Sequence, residues 1–212
     1  DGDSFFESFE LEEDQLRIVL KDGTEIVIPM GEQSPFKAVN LGLSIKWASF
    51  NLDATSPSEL GGLYLWGDVD NSGLIPYYEA PDLDNICGTE YDIVRATWGG
   101  SWRMPTRNEQ IELALQCTWS KSIVNGVDGV KVTGSNGNSV FLPATGYGMP
   151  KSGPIGTTQR VDLEKGYYWA GESYKGEHGR FAYSIAFDTT DYNYWTTWNV
   201  NLVKMAIRPV RG

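Results

Sequence analysis

The sequence predicts an α+β domain preceded by an N-terminal β-hairpin, and three observations support this fold class. The chain has 212 residues with 24 glycines, 8 tryptophans and 11 tyrosines, whereas only 21% of its residues are charged. This balance is typical of a loop-rich β or α+β domain rather than of a helical bundle. A helix-start motif near residue 106 predicts a helix, and alternating apolar residues predict several strands.

The first 35 residues predict a separate N-terminal segment. Residues 1–15 are acidic with scattered phenylalanines, which is typical of a leash without its own core. A β-hairpin is indicated over 16–28, because apolar residues alternate on both sides of a turn. These are Leu16, Ile18 and Leu20, then the turn Asp22-Gly23, then Ile26 and Ile28. We therefore expect a leash and hairpin over 1–35 and a main domain over 36–212.

The stretch 98–119 predicts the corner around which the main domain is organised. Thr106 followed by Glu109 spells a capping box, in which each residue's side chain accepts a hydrogen bond from the other's backbone N–H. The expected helix runs from Arg107 to about Gln116. Its apolar surface is predicted to come from Ile111, Leu113, Leu115 and Cys117. We expect this corner to be part of the core, with no role in chemistry.

Other elements follow from local patterns. Thr89 is expected to cap a short helix over 90–97, and a turn at 134–137 predicts a hairpin of strands near 130–132 and 140–142. Residues 181–187 alternate strictly, which predicts a strand with its large side chains on the core. The long Gly/Pro/Ser/Thr segment 146–160 is predicted to be a functional loop.

Composition excludes several kinds of partner. The net charge of −11 makes nucleic acid and anionic membrane surfaces poor partners. No apolar run is long enough for a transmembrane helix. The opening residues carry no signal-peptide pattern, so we expect a leader to have been removed. Cys87 and Cys117 form neither a CxxC nor a zinc pattern, and the sequence leaves open whether they form a disulfide.

Six short motifs occur in order along the main domain. They are Leu-Gly-Leu-Ser-Ile-Lys-Trp-Ala at 41–48, Gly-Leu-Tyr-Leu-Trp-Gly at 62–67, Trp-Gly-Gly-Ser-Trp-Arg-Met-Pro-Thr at 98–106, Asn-Ser-Val-Phe-Leu-Pro-Ala at 138–144, Gly-Tyr-Tyr-Trp at 166–169 and Ile-Arg-Pro-Val at 207–210. Together they resemble the Fibrobacter succinogenes major paralogous domain, a family of bacterial secreted proteins and surface lipoproteins. The resemblance covers roughly residues 37–211.

This resemblance implies a C-type-lectin-like domain with two helices and a small curled antiparallel sheet. It also implies an extracellular or outer-surface location with a lipid anchor on the unprocessed protein. With the apolar runs at both ends, it predicts that the strand near 45–48 lies beside the strand near 206–210. The resemblance implies a cysteine directly after the first Trp-Ala, as many family members have, but this chain has Ser49 and Phe50 there. Cys117 therefore lacks that partner, and either Cys87 replaces it or both thiols are free.

No cofactor is expected, and calcium is the one metal that the sequence suggests. Asp68, Asp70, Ser72 and Glu79 match the spelling of an EF-hand calcium loop. A strand rather than a helix leads into this loop, so a solvated acidic loop is the alternative. C-type lectins that bind sugar through calcium resemble one another in a Trp-Asn-Asp strand and a Glu-Pro-Asn or Gln-Pro-Asp loop. In this chain Trp198-Asn199 is followed by Val200 and neither triplet is present, so the resemblance does not extend to calcium-dependent sugar binding.

Aromatic residues near the C-terminus predict a binding surface. The candidates are Tyr174, Tyr192, Tyr194, Trp195 and Trp198, most of them in a polar, turn-like segment. Such rings offer flat apolar faces with polar edges, which suits a sugar or a protein partner. The alternative is that they pad a small sheet.

We therefore expect a non-enzymatic exported domain that binds an extracellular glycan or protein. The alternatives are a structural module of a surface assembly and an enzyme related to formylglycine-generating oxidases. The lone histidine, His178, and the absence of any cysteine after Cys117 argue against the enzyme.

Overall fold

The computed structural model describes residues 6–12, 15–29, 37–70, 81–150, 158–177, 179–190, 194–200 and 203–212. The chain divides into two compact units, Asp1–Lys37 and Ala38–Gly212. Neither of the helices in the described ranges has the length and apolar character needed to span a membrane.

The N-terminal unit contains a three-stranded antiparallel sheet. Its strands are β1 (Phe6–Glu12), β2 (Gln15–Leu20) and β3 (Glu25–Pro29), in the order β1-β2-β3. The predicted hairpin of β2 and β3 is confirmed, with Ile18 opposite Ile26 and Gly23 at a positive φ of 81° in the turn. The predicted leash is wrong over Phe6–Glu12, because this acidic segment pairs with β2 as a third strand.

The larger unit is built from short strands and two helices. In chain order they are β4 (Ala38–Val39), β5 (Lys46–Ala48), α1 (Ile93–Trp98), β6 (Trp102–Arg103), α2 (Arg107–Gln116), β7 (Thr118–Val124), β8 (Val127–Thr133), β9 (Ser139–Pro143), β10 (Tyr147–Pro150), β11 (Thr158–Val161), β12 (Lys165–Gly176), β13 (Gly179–Asp188), β14 (Tyr194–Val200) and β15 (Val210–Arg211).

The expectation of an α+β, C-type-lectin-like fold is wrong, because the described residues are mostly β. The strands of the larger unit form four small sheets rather than one curled sheet: β4-β5-β15-β6, β7-β8-β9, β10-β11 and β12-β13-β14. The two helices have only six and ten residues. The sequence prediction missed β7 and β14, which complete two of these sheets.

The predicted pairing of the ends of the larger unit is confirmed. Val210 of β15 lies opposite Trp47 of β5 and, on its other side, opposite Arg103 of β6. The C-terminal strand therefore lies inside this sheet and connects its first strands to the corner that precedes α2.

One apolar cluster fills the larger unit. It takes residues from β5, α2, the β7-β8-β9 sheet and the β12-β13 pair: Trp47, Leu113, Val130, Leu142, Tyr168, Ile185 and Phe187 are among its buried members. On α2 the buried residues are Gln110, Leu113 and Ala114, whereas Leu115 is 73% exposed. The predicted apolar surface at 111, 113, 115 and 117 is thus partly wrong, because a period of about 3.6 residues turns Leu115 away from the core.

Candidate functional site: a polar cleft beside the second helix

An open cleft of about 520 Å³ lies where the start of α2 meets β12 and β13. Its lining comes from four separate parts of the sequence. The lining residues are Asp84, Arg107, Asn108, Glu172, Ser173, Tyr174, Lys175 and Tyr183. Among the described residues the lining contains no aliphatic side chain, so the cleft is polar apart from its two tyrosine rings.

The 83–85 segment forms one wall of the cleft because it pairs with β12. Asn85 forms a β-bridge with Glu172, and the Ser173 N–H donates to the Asp84 carbonyl at 2.9 Å. The buried Ser173 hydroxyl also donates to the carbonyl of Leu83 at 2.9 Å. The register of β12 against β13 shifts between Trp169 and Ser173, which leaves β12 free to pair with this segment at that point.

The first residue of α2 connects the helix to the strands. The backbone N–H of Arg107 donates to the Glu172 carboxylate at 2.5 Å, where the helix dipole favours a negative charge. The Arg107 guanidinium lies over the Tyr183 ring, 4.5 Å from its centroid. The Arg107 Nε is buried and has no hydrogen-bond partner in the described part of the chain.

The tyrosines form a short aromatic row on the other side of the cleft. The Tyr174 ring stacks on Phe181 with centroids 5.4 Å apart, and it tilts by 36° toward Tyr183 at 5.6 Å. These three rings are half-buried, whereas Ile185 and Phe187 further along β13 are in the core. The predicted large face of residues 181–187 therefore serves the core at one end and the cleft at the other.

Charged groups of both signs lie at the rim. Lys175 is exposed and lies 3.6 Å from the Asp82 carboxylate. The lining itself holds two carboxylates, Asp84 and Glu172, and two cations, Arg107 and Lys175. The cleft thus offers both acceptors and donors.

Of the predicted aromatic set, the structure places Tyr174 in this cleft. Tyr192 lies outside the described residues. The turn-like interpretation of the following segment is wrong, because Tyr194, Trp195 and Trp198 belong to strand β14, for which the structure describes the backbone. In the register, Trp198 lies opposite Tyr183, and Trp195 lies opposite Ala186.

The segment predicted as one long loop is partly wrong as well. Strands β10 and β11 occupy both of its ends and pair with each other, with Gly148 opposite Arg160. Residues 151–157 lie outside the described residues, so a functional role for them stays a prediction.

The predicted calcium site is only partly covered. Asp68 is buried and Asp70 is exposed, whereas Ser72 and Glu79 lie outside the described residues. In the ranges that the structure covers, no group of three or more His, Cys, Asp or Glu side chains is arranged to hold a metal.

Both cysteines are free and half-buried. Burial raises the pKa of the Cys87 thiol to about 12, and the nearby Asp92 carboxylate acts in the same direction. Burial also raises the pKa of Cys117. The reactive thiolate form of Cys87 is therefore scarce at neutral pH. His178 lies outside the described residues.

Most of the cleft was not predictable from local patterns. Arg107 was assigned to a corner without chemistry, and Asp84, Asn108 and Glu172 were not singled out. Two signals indicated single members of the lining: the predicted aromatic set includes Tyr174, and the alternation at 181–187 predicts large side chains on a face that includes Tyr183. Comparison with known protein families, with curated proteins and with solved structures finds no match to this chain.

Proposed function

We propose that this chain is a binding module that takes a glycan in the cleft. The observation that carries the proposal is the combination of Tyr174 and Tyr183 with the carboxylates and amide of Asp84, Glu172 and Asn108 in one open cleft. Tyrosine rings supply apolar faces for the C–H surface of a sugar, and the polar groups can bind its hydroxyls.

The size and polarity of the cleft favour this ligand class. Its volume of about 520 Å³ falls in the range of small-ligand sites, which runs from about 300 to 1,000 Å³. Small-molecule pockets are commonly lined mainly by hydrophobic and aromatic side chains, with a few polar groups that fix the orientation of the ligand. This lining instead offers charged, amide and hydroxyl groups, as a hydroxyl-rich ligand requires.

A protein partner is the second candidate, and the structure gives it less support. Protein interfaces of ordinary size bury about 800 Å² on each partner, usually around apolar anchors. The resemblance to a family of secreted and surface proteins supports a ligand outside the cell, for either candidate. The oxidase alternative needs a reactive cysteine, and the raised pKa of Cys87 weighs against it.

The test is a glycan array followed by calorimetric titration of the glycans that bind. Tyr174→Ala and Tyr183→Ala should each weaken binding about tenfold or more, because aromatic anchors carry much of the energy in such sites. Tyr91→Ala is the matched control, since Tyr91 is 37% exposed and does not line the cleft. Near-ultraviolet circular dichroism of each variant checks that the fold is retained.

Two results would reject the proposal. One is that the wild-type chain binds no glycan on an array that spans neutral and acidic polysaccharides. The other is that the two cleft variants, correctly folded, bind as tightly as Tyr91→Ala.

A further inference from the structure

Arg107 differs from three other buried or half-buried arginines of the larger unit, whose guanidinium groups donate to acceptors in the protein. Arg103 donates to Glu109, Arg160 donates to the carbonyls of Thr145 and Gly61, and Arg208 donates to those of Ala48 and Phe141. The Arg107 guanidinium has no hydrogen-bond acceptor and no ion-pair partner within the described residues. Its Nε is buried without an acceptor, which is costly; the Nε of Arg208 is in the same state, but the terminal nitrogens of Arg208 donate to two carbonyls.

The carboxylate of Glu172, which also lines the cleft, does not fill this role. Glu172 accepts from the backbone N–H of Arg107 at 2.5 Å, at the start of the helix. The guanidinium instead lies over the Tyr183 ring, 4.5 Å from its centroid. A guanidinium held against an aromatic face keeps its N–H donors available in its own plane, where they fit the two oxygens of a carboxylate.

We propose that the bound glycan carries a carboxylate, as a uronic acid residue does, and that Arg107 binds this group. The inference rests on the proposed glycan-binding function and names the class of sugar. Paired N–H donors suit a planar carboxylate, and charge-assisted bonds of this kind are among the strongest hydrogen bonds in proteins. Tyr174 then supports a neighbouring sugar ring, while Asp84, Asn108 and Glu172 face hydroxyl groups.

The charge balance limits how acidic the ligand is. Two carboxylates oppose the two cations of the cleft, and the whole chain carries a net charge of −11. Long-range repulsion therefore disfavours densely sulfated or phosphorylated polymers. A glycan with isolated carboxylates among neutral hydroxyls matches the site better than a polyanion does.

The experiment compares each acidic polysaccharide with its own carboxyl-reduced form. Glucuronoxylan and glucuronic-acid-bearing arabinogalactan, in which single carboxylates stand among neutral sugars, are printed on an array before and after carbodiimide–borohydride reduction, which turns each carboxylate into a primary alcohol. We expect the wild-type chain to bind at least one native polymer about tenfold or more tightly than its reduced form. Calorimetry with oligosaccharides of that polymer measures the ratio in solution.

Arg107→Gln should remove this preference, so that native and reduced forms bind equally weakly. Arg107→Lys, which retains the charge but loses the paired donors, should fall between the wild type and Arg107→Gln. Arg95→Gln is the matched control for net charge, because Arg95 is exposed on α1. It should bind like the wild type.

The possible failures are distinguishable. If reduced and native polymers bind equally well, or if Arg107→Gln retains the preference for native forms, the carboxylate inference is wrong while glycan binding stands. If neither these polymers nor the neutral members of the array bind, the proposed function itself is wrong, and the carboxylate inference fails with it.

Discussion

At the scale of single residues, Glu109 stabilises both the start of α2 and the bend of the chain before it. Its carboxylate accepts the Thr106 N–H at 2.8 Å, while the Thr106 hydroxyl accepts the Glu109 N–H at 3.2 Å, so the predicted capping box is confirmed. The same carboxylate binds both terminal nitrogens of Arg103, at 2.9 and 2.5 Å. The spacing of Thr106 and Glu109 was visible in the sequence, whereas the Arg103 contact depends on how the chain bends before α2.

Burial and hydrogen bonding shift the pKa of the Glu109 carboxyl in opposite directions. Burial acts to raise its pKa, but the Arg103 guanidinium and the Thr106 N–H outweigh burial and lower the pKa. A carboxyl with a lowered pKa in the folded state stabilises the fold above its unfolded pKa. That contribution disappears as the pH falls through the folded-state pKa.

We predict that Glu109→Gln lowers the free energy of unfolding by about 1–2 kcal/mol at pH 7, because charge-assisted hydrogen bonds are lost. The difference from the wild type should shrink below about pH 4.3, where the unfolded carboxyl becomes protonated. Urea titrations at pH 7 and pH 3 measure both values. Glu90→Gln, at an exposed position, is the control, and an equal loss at both pH values would contradict the assigned role of the charge.

At the scale of elements, α1 begins at Asp92 rather than at the predicted Thr89. The buried Asp92 carboxylate accepts backbone N–H groups from Val94 at 2.9 Å, Arg95 at 3.3 Å, Gly88 at 2.7 Å and Met104 at 2.8 Å. Burial raises the pKa of this carboxyl, while the four donors act in the opposite direction. The Met104 contact joins the start of α1 to the corner before α2, so this cap also fixes tertiary structure.

We predict that Asp92→Asn costs about 2–4 kcal/mol of stability, since an amide nitrogen must replace one oxygen that accepts two N–H donors. Thr89→Ala should cost clearly less, about 1 kcal/mol or below, because Thr89 is a partly exposed turn residue. Tryptophan fluorescence during urea denaturation measures both. The reverse ranking would restore Thr89 as the residue that organises this helix.

Local elements were more predictable than their assembly. Residues 107–116, the hairpin at 134–137 and the alternation at 181–187 follow from short-range patterns, and each is confirmed. The β7–β8 hairpin had a signal that the prediction did not use, the Asn125-Gly126 turn, where φ is 50° and 80°. The cleft had signals only for its two tyrosines, because it joins segments near 84, 107, 172 and 183 whose contacts depend on register and long-range packing.

At the scale of the whole molecule, the C-terminal segment connects the parts of the larger unit. Tyr64 and Met205 exchange backbone hydrogen bonds at 2.9 and 3.0 Å, and the Leu52 N–H donates to the Ile207 carbonyl at 3.0 Å. The resemblance placed this segment beside the first strand, but it did not predict these contacts with residues 52 and 64.

Arg208, a buried cation in the same segment, also connects parts of the larger unit. Its guanidinium donates to the Ala48 carbonyl at 3.0 Å and to the Phe141 carbonyl at 2.7 Å. It thereby joins the sheet that contains β5 to the sheet that contains β9. Burial lowers the pKa of Arg208 to about 10, and the two carbonyls provide the compensating hydrogen bonds that a buried charge requires.

We predict that a chain ending at Lys204 loses the folded structure of the larger unit. Removing residues 205–212 deletes buried core residues, one of the two inner strands of a four-stranded sheet and both Arg208 contacts. The loss is comparable with the roughly 5–15 kcal/mol by which domains are stable, because Met205, Ile207 and Val210 each contribute about 1.5–3 kcal/mol by burial and their backbone hydrogen bonds are lost with them. All eight tryptophans lie in the larger unit, so the long-wavelength tryptophan band of the near-ultraviolet circular dichroism spectrum reports on that unit alone. Deleting only Gly212, which is exposed, should leave the tryptophan signal and its cooperative thermal transition unchanged. A truncated chain that kept this signal would show that the larger unit folds without its C-terminal strand and that β5 and β6 do not need β15 between them.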